Sequence, residues 1–317
     1  MKIKIQTIIF GIGLITVGTG LFQFFGSTTT PEKEDYTHQE KFNRDYKIYT
    51  LNIPEKVSFA GEKVPLELVD VREKLDRELL VNTYWQSNML LYIKRSNKWF
   101  PVIEPILKKE GVPEDFKYLA LIESGLTQVV SPAGAVGFWQ IMEGTGKDYG
   151  LEINAEVDER YHVEKATEAA CKYLKEAKEK HGSWTLAAAS YNIGMNGLGK
   201  QLERQKVDDY YDLLLNTETG RYVFRILAAK EILSNPTKFG FNYRQKDLWE
   251  TIETRQVTVD TTVTDFAVFA QQFDINYKVL KDLNPWLRQS YLKNYSKKTY
   301  SIQVPTERSL DLVMLDH

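Results

Sequence analysis

Gly111-Val-Pro-Glu-Asp-Phe-Lys-Tyr-Leu-Ala-Leu-Ile-Glu-Ser-Gly125 carries both ends of a helix in its own residues. Pro113 suits the first helical position, where a missing N–H costs nothing, and Glu114 and Asp115 complement the positive end of the helix dipole. Gly125 suits the left-handed stop. Between these ends Phe116, Leu119 and Ala120 form an apolar stripe. Glu123 lies seven, four and three residues on from them, so its carboxylate falls on the core-facing side near the helix end. A carboxylate there is costly: desolvation disfavours the charged form and raises the pKa, the property a general acid needs to keep its proton near neutral pH. Pairing with an arginine, or capping a neighbouring helix, accounts for a buried glutamate equally well. This pattern alone leaves structural and catalytic roles open.

Outward from this segment, the chain from about Val69 to Phe239 reads as successive helices. Val69 to Asn82 and Trp85 to Lys98 carry apolar residues three and four apart, with breaks expected at Pro101, Gly111 to Pro113, Gly125, Gly182 and Pro236. Ser131-Pro-Ala-Gly-Ala-Val-Gly-Phe-Trp-Gln-Ile-Met142 is a small-residue loop running into an aromatic, amide-bearing stretch. It has no Lys after the glycines and no preceding strand, so it is not a phosphate loop. Gly134 and Gly137 would let the backbone approach a ligand, and Gln140 would donate and accept hydrogen bonds to an uncharged polar one such as a sugar. The plainer alternative is a connector with Phe138 and Trp139 in the core. Ser183-Trp-Thr-Leu-Ala-Ala-Ala-Ser-Tyr-Asn-Ile-Gly194 starts on an N-cap and ends on glycine. It puts Trp184, Ala187, Ala188 and Tyr191 on one face, with Tyr191 and Asn192 presenting polar tips at the helix end, a pattern that on its own also describes plain core packing. Glu218-Thr-Gly-Arg-Tyr-Val223 opens a helix with the stripe Tyr222, Ile226, Ala229 and Leu233, in which Tyr222 either packs or turns its phenol towards the acid.

Past Gln245 the pattern becomes strand (Arg255 to Asp260), helix (Phe266 to Phe273), helix (Tyr277 to Leu283) and strand (Thr299 to Pro305), a small module. At the other end, Ile8 to Gly26 is mostly apolar and no charge falls between Lys4 and Glu32, a length that can span a bilayer. Lys2 and Lys4 before it, and Glu32, Glu34 and Asp35 after it, put the amino terminus inside and the body outside. Gly18 and Gly20 also permit a cleaved signal peptide. The polar stretch Ser27 to Glu40 reads as a flexible tether. The expected organisation is therefore anchor or signal peptide at 1–26, tether and extended lead-in at 27–68, a helical domain at 69–245 and the small module at 251–306.

Composition sets the outer bounds. Of 317 residues, 43% are hydrophobic and 26% charged, which excludes a disordered chain and predicts a sizeable core. Forty-one Lys and Arg against 43 Asp and Glu leave a net charge of −2, giving no field to attract nucleic acid. One cysteine, Cys171, excludes an intrachain disulfide framework, and four histidines without ligand spacing make metal chemistry unexpected; no cofactor is implied.

Taken together, Glu123-Ser124, Gly137-Phe-Trp-Gln140, Ser190-Tyr-Asn192 and Glu218-Thr-Gly-Arg-Tyr-Val223 resemble the motifs of the lytic murein transglycosylases. These belong to the soluble-lytic-transglycosylase-like, goose-lysozyme-like superfamily, and the resemblance is strongest to the membrane-bound lytic murein transglycosylase D type. It covers roughly Trp99 to Phe241. The second motif has Phe138-Trp139 where many relatives have Leu-Met or Leu-Trp, and the third begins with Ser190 rather than Ala. The terminal module resembles a LysM domain, which implies binding to N-acetylglucosamine in glycan chains, but Asp260-Thr261-Thr262 stands where the usual Gly-Asp would follow the first strand, so a structural role packed against the catalytic domain is an equal alternative. The resemblance implies a mainly α fold: a lysozyme-like α-helical catalytic domain followed by a small βααβ LysM-like domain.

It also implies an activity on peptidoglycan glycan strands in the cell envelope, on the periplasmic side, attached to the membrane by the N-terminal segment or released from it. Glu123 would protonate the oxygen between N-acetylmuramic acid and N-acetylglucosamine, with the substrate's acetamido group stabilising the developing charge. Glu123 would then take the proton of the muramyl C6 hydroxyl as that oxygen closes on C1. Substrate assistance is a recognised exception to the two-carboxylate rule of glycosidases. By the same resemblance Ser124, Gln140, Tyr191, Asn192 and Tyr222 line the cleft, Tyr191 and Asn192 near the acetamido group and Tyr222 facing Glu123, with Glu218 as a structural partner. Two alternatives stand beside this: a hydrolytic muramidase using Glu143 or Asp148 as a second acid, and a non-catalytic peptidoglycan-binding protein.

Overall fold

The computed structural model describes residues 33–45 and 47–306. The apolar run Ile8 to Gly26, with its reading as anchor or signal peptide, lies outside the described residues. Among those described, no helix is long and apolar enough to cross a membrane. The chain divides between Thr50 and Leu51 into two units. The first contains helix α1 (Lys33–Asp45), so part of the stretch expected to be a tether is helical. Glu40 and Arg44 stand four apart in the favourable order, a local support that a reading of composition overlooks.

The second unit begins with a short hairpin, β1 (Ser58–Phe59) and β2 (Glu62–Lys63). The helices that follow are α2 (Val69–Tyr84), α3 (Gln86–Glu110), α4 (Lys117–Ser124), α5 (Glu143–Asp148), α6 (Val163–His181), α7 (Trp184–Ile193), α8 (Met195–Gln205) and α9 (Thr217–Ser234). Helix α9 is the central one: it packs against α2, α4 and α7, while α6 packs against α3 and α7. Its residues are buried on nearly every side, as a helix surrounded by others requires. Asn216 starts it by accepting from Thr219 N at 2.9 Å. Glu78 of α2, 1% exposed, receives Arg221 Nε at 2.7 Å and a bond from Arg77, which ties the first turns of α9 to α2.

The hairpin is part of the same core. Phe59 meets Phe116 edge-on at 5.1 Å, Phe116 meets Trp184 at 5.4 Å, and Val57, Val64 and Leu66 are buried with them. Glu62 accepts from Trp184 N at 2.7 Å and Thr185 N at 2.8 Å, placing a carboxylate at the positive end of α7. The packed body thus starts ahead of Val69, where a lead-in was expected. Strands of two residues are too short to leave a periodic signature.

Two expectations for the helices need correction. Residues 114–116 form a 3₁₀ turn, Pro113 sits just outside it, and α4 proper begins at Lys117. Pro101 does not break the chain: it and Pro105 lie inside α3, a 25-residue helix. A proline in a helix interior costs about 3 kcal/mol. Helix α3 buries Met89, Ile93, Ile103 and Leu107 on both sides of the prolines, and this packing against α6 outweighs the cost.

Beyond residue 250 the chain forms β3 (Thr254–Val259), α10 (Phe266–Gln271), α11 (Tyr277–Leu283) and β4 (Tyr300–Pro305), the βααβ order read from the sequence. Strands β3 and β4 pair antiparallel from Thr254 opposite Pro305 to Val259 opposite Tyr300. Their module has its own core, into which the helical body inserts Val136, Val157 and Tyr161.

Candidate active site

The end of α4 meets the first half of α9, and this crossing brings Glu123 to Tyr222. The phenol of Tyr222, 1% exposed, donates to Glu123 Oε1. Glu123 itself is half-buried. Burial raises its pKa above the ordinary glutamate value; the Tyr222 hydrogen bond and the positive charge of Arg225 oppose the rise, and the charge of Glu218 adds to it. Arg225 makes no bond to the carboxylate; its Nη2 donates to Ile122 O at 2.9 Å. Among the described residues Glu123 forms no ion pair. Burial, with the charge of Glu123 next, also holds the phenols of Tyr191 and Tyr222 well above the ordinary phenol range, so both stay neutral donors.

A loop spanning 131–141 lies beside the end of α4. Ser124 Oγ donates to Phe138 O at 2.8 Å, and Tyr191 at the end of α7 donates to Trp139 O at 2.8 Å. The indole of Trp139 points into the core and donates to Thr167 Oγ1 at 2.8 Å. Gln140 has a left-handed backbone (φ 47°), and its Nε2 donates to Gly137 O at 2.8 Å and Val129 O at 3.1 Å. Asn192 donates from Nδ2 to Glu218 Oε1 at 3.0 Å and accepts from Thr219 Oγ1 at 2.8 Å, which joins the ends of α7 and α9.

Of the residues singled out by sequence, then, Glu123 and Tyr222 are in direct contact, Ser124 and Tyr191 grip the loop carbonyls, Gln140 folds back on its own loop, and Asn192 holds Glu218. Four donors expected to face a substrate are engaged with the protein. Gly137 was expected to let the backbone approach a ligand, but its close neighbour is protein: with φ 77°, a Cβ there would lie 2.2 Å from Arg160 O. Gly134 has open space around it. A cavity of about 570 Å³ near the β1–β2 hairpin, lined by residues such as Glu55, Lys63, Leu66 and Arg72, includes none of these groups.

Residues 100–214 match the family described as Transglycosylase SLT domain, and residues 255–308 match the Soluble lytic transglycosylase C-terminal LysM-like domain. The helical body carries a transglycosylase SLT domain. A LysM-like domain follows it, and the whole is mainly helical. The chain is 28% identical over 244 residues to the Membrane-bound lytic murein transglycosylase D of Escherichia coli K12, and equally to that of Escherichia coli O6:H1. The match takes in 74% of this chain and 52% of each relative, so the chain spans about half the length of the curated relatives it matches. Among solved structures, the lytic transglycosylase Slt of Pseudomonas aeruginosa aligns with a TM-score of 0.38 and 17% identity over 67% of this chain and 37% of that one.

Two contributors to the candidate site were not picked out from the sequence. Arg225 had a usable signal, since it lies three residues after Tyr222 and so shares its side of α9. Thr167 had none, because it is one small polar residue on the buried face of α6.

The raised pKa of Glu123 has a consequence for the stability of the SLT domain. The folded state keeps this proton to higher pH than the unfolded chain, whose ordinary value is 4.5, so stability falls as pH rises from 4.5 through the folded-state pKa. Glu123→Gln removes that loss. Its melting temperature is expected to match the wild type at acidic pH and to exceed it by a margin that opens above pH 4.5 and then levels off. Paired melting curves across pH check this, and a variant less stable than wild type at neutral pH would contradict the inferred desolvation.

Proposed function

We propose that this protein is a peptidoglycan lytic transglycosylase that cleaves the MurNAc-β-1,4-GlcNAc bond without water and leaves 1,6-anhydro-MurNAc ends. The observation that carries the reading is the state of Glu123: desolvated, in no ion pair among the described residues, and oriented by a neutral phenol. Such a carboxyl holds its proton to higher pH than an ordinary glutamate and can deliver it to a bridging oxygen. After that transfer the same group is a carboxylate. Tyr222, as a donor, stabilises this form, and it can accept the proton of the C6 hydroxyl. The attacking oxygen belongs to the sugar being cleaved, so ring closure benefits from high effective molarity.

Ser124, Gln140, Tyr191 and Asn192 serve in this reading as the residues that shape the walls of the cleft, Tyr191 and Asn192 on the acetamido side. The muramidase alternative needs a second acid. Glu143 is exposed, pairs with Lys147 at 2.6 Å, and is held below the ordinary range by that bond. Asp148 is exposed on the same short helix. Neither shares the setting of Glu123. The curated relatives are named membrane-bound murein transglycosylases, which supports a membrane-bound location in the cell envelope; the charges around the apolar run, Lys2 and Lys4 before it and Glu32, Glu34 and Asp35 after it, favour a body on the periplasmic side.

Mass spectrometry of products released from murein sacculi tests the reaction. The expected products end in 1,6-anhydro-muramic acid, whereas reducing-end muramic acid as the main product would overturn the proposal in favour of hydrolysis.

A further inference from the structure

The loop spanning 131–141 has two supports. One is the Ser124 and Tyr191 pair described above. The other is the segment spanning 152–164, and that segment is held in turn by the LysM-like module. Val136, 3% exposed, is the loop's contribution to the module's core, where it joins Val157 and Tyr161 with Phe266, Trp286 and Ile302. Its backbone is bonded both ways to Ile141, N to O at 3.1 and 3.0 Å, which closes the turn that carries Gly137 to Gln140. Beneath the turn, Arg160 reaches Gly134 O at 3.3 Å and Ile141 O at 3.4 Å, and Gln128 Nε2 donates to Tyr161 O at 2.8 Å.

The module grips this floor by its backbone. Asp158 N donates to Trp286 O at 2.9 Å and Arg288 N to Glu156 O at 2.8 Å, with Val157 bridged to Leu287. The Arg288 guanidinium lies 3.9 Å from the centre of the Tyr161 ring. Tyr300 donates to Glu152 at 2.9 Å and Gln303 to Glu164 at 3.0 Å. Domains joined only by a tether meet through modest, polar contacts and move relative to one another. Here a shared apolar core and strand-like bonds oppose such movement.

We infer that the LysM-like module is a positioning element for the reaction: through Val136, Trp286 and Arg288 it sets the geometry of the loop that receives Ser124 and Tyr191, instead of serving only as a mobile glycan tether. The catalytic consequence rests on the proposed function; the mechanical one does not. Small displacements of groups around a reacting centre are costly to turnover, so loosening the module is expected to act on kcat more than on KM.

The test uses the full chain with Val136→Ala, Trp286→Ala and the milder Arg288→Ala, and with Tyr295→Ala as a control on an exposed module residue. Turnover is measured on a soluble murein oligosaccharide of two disaccharide repeats, and amide hydrogen exchange is followed across 131–141. Val136→Ala and Trp286→Ala should lower kcat about tenfold with KM changed less than about twofold, and exchange in the loop should speed up. Arg288→Ala should do the same to a smaller degree, and Tyr295→Ala neither. Unchanged kcat on the short substrate with a raised KM on sacculi would overturn the inference and leave a glycan tether. Unchanged loop exchange in Trp286→Ala and Arg288→Ala would overturn it as well. The exchange measurement stays decisive even if the protein proves not to be a transglycosylase, and if Trp286→Ala unfolds the module, Val136→Ala, made from the loop side, decides.

Discussion

Glu123→Gln is expected to lower the release of soluble fragments from murein sacculi by about two to four orders of magnitude, the usual contribution of a positioned general acid. The amide keeps the shape of the side chain and still accepts the hydrogen bond from Tyr222, but it has no proton to give to a leaving oxygen and no basicity to take one back. Because one group performs both transfers in the proposed reaction, its loss removes both steps together. Circular dichroism should show an unchanged helical fold. Turnover within a few-fold of wild type would mean that Glu123 is a structural carboxyl.

Gly137→Ala is expected to be the most damaging single-methyl change near the site. A Cβ would stand 2.2 Å from the carbonyl oxygen of Arg160, and the backbone there has φ 77°. The left-handed conformation costs a non-glycine residue about 1–2 kcal/mol, and overpacking against a fixed neighbour adds about 1–3 kcal/mol. The obstacle is main chain, so it cannot swing aside; the loop or the Arg160 segment must shift. Denaturant midpoints should show a loss of about 2–5 kcal/mol, with turnover reduced in the surviving folded protein because Phe138 O and Trp139 O move away from Ser124 and Tyr191. A stability change below about 0.5 kcal/mol, the usual range for a surface position, would mean that the loop is not clamped as the structure has it.

How far the sequence speaks differs from one element to the next. Ser183 caps α7 and Gly125 stops α4 as their residue types imply, since a cap is a contact over three or four residues and its chemistry is local. Pro101 misled for the same reason, and Pro105 lies inside the same helix. Their local penalty is real, but it is outweighed by burial along a partner helix that no window around residue 101 reveals. Gly137 was legible as a place of close approach, but what approaches, the backbone of Arg160, is 23 residues away in the chain. Gln140 and Ser124 were legible as polar groups near a turn, yet their hydrogens go to loop carbonyls whose positions depend on the same tertiary contacts.

From the sequence alone came the alternation of helices, the βααβ order of the terminal module, and a glutamate on the apolar side of its helix; periodicity and capping are set by neighbours within a turn or two. Only the tertiary structure decided that this glutamate meets a phenol 99 positions along the chain and not the guanidinium of Arg225, and that the terminal module shares a core with the loop beside it. Which faces of distant elements come together is a property of the packed whole, where the free energy of burying apolar surface is shared among residues from many elements and leaves no local pattern to read.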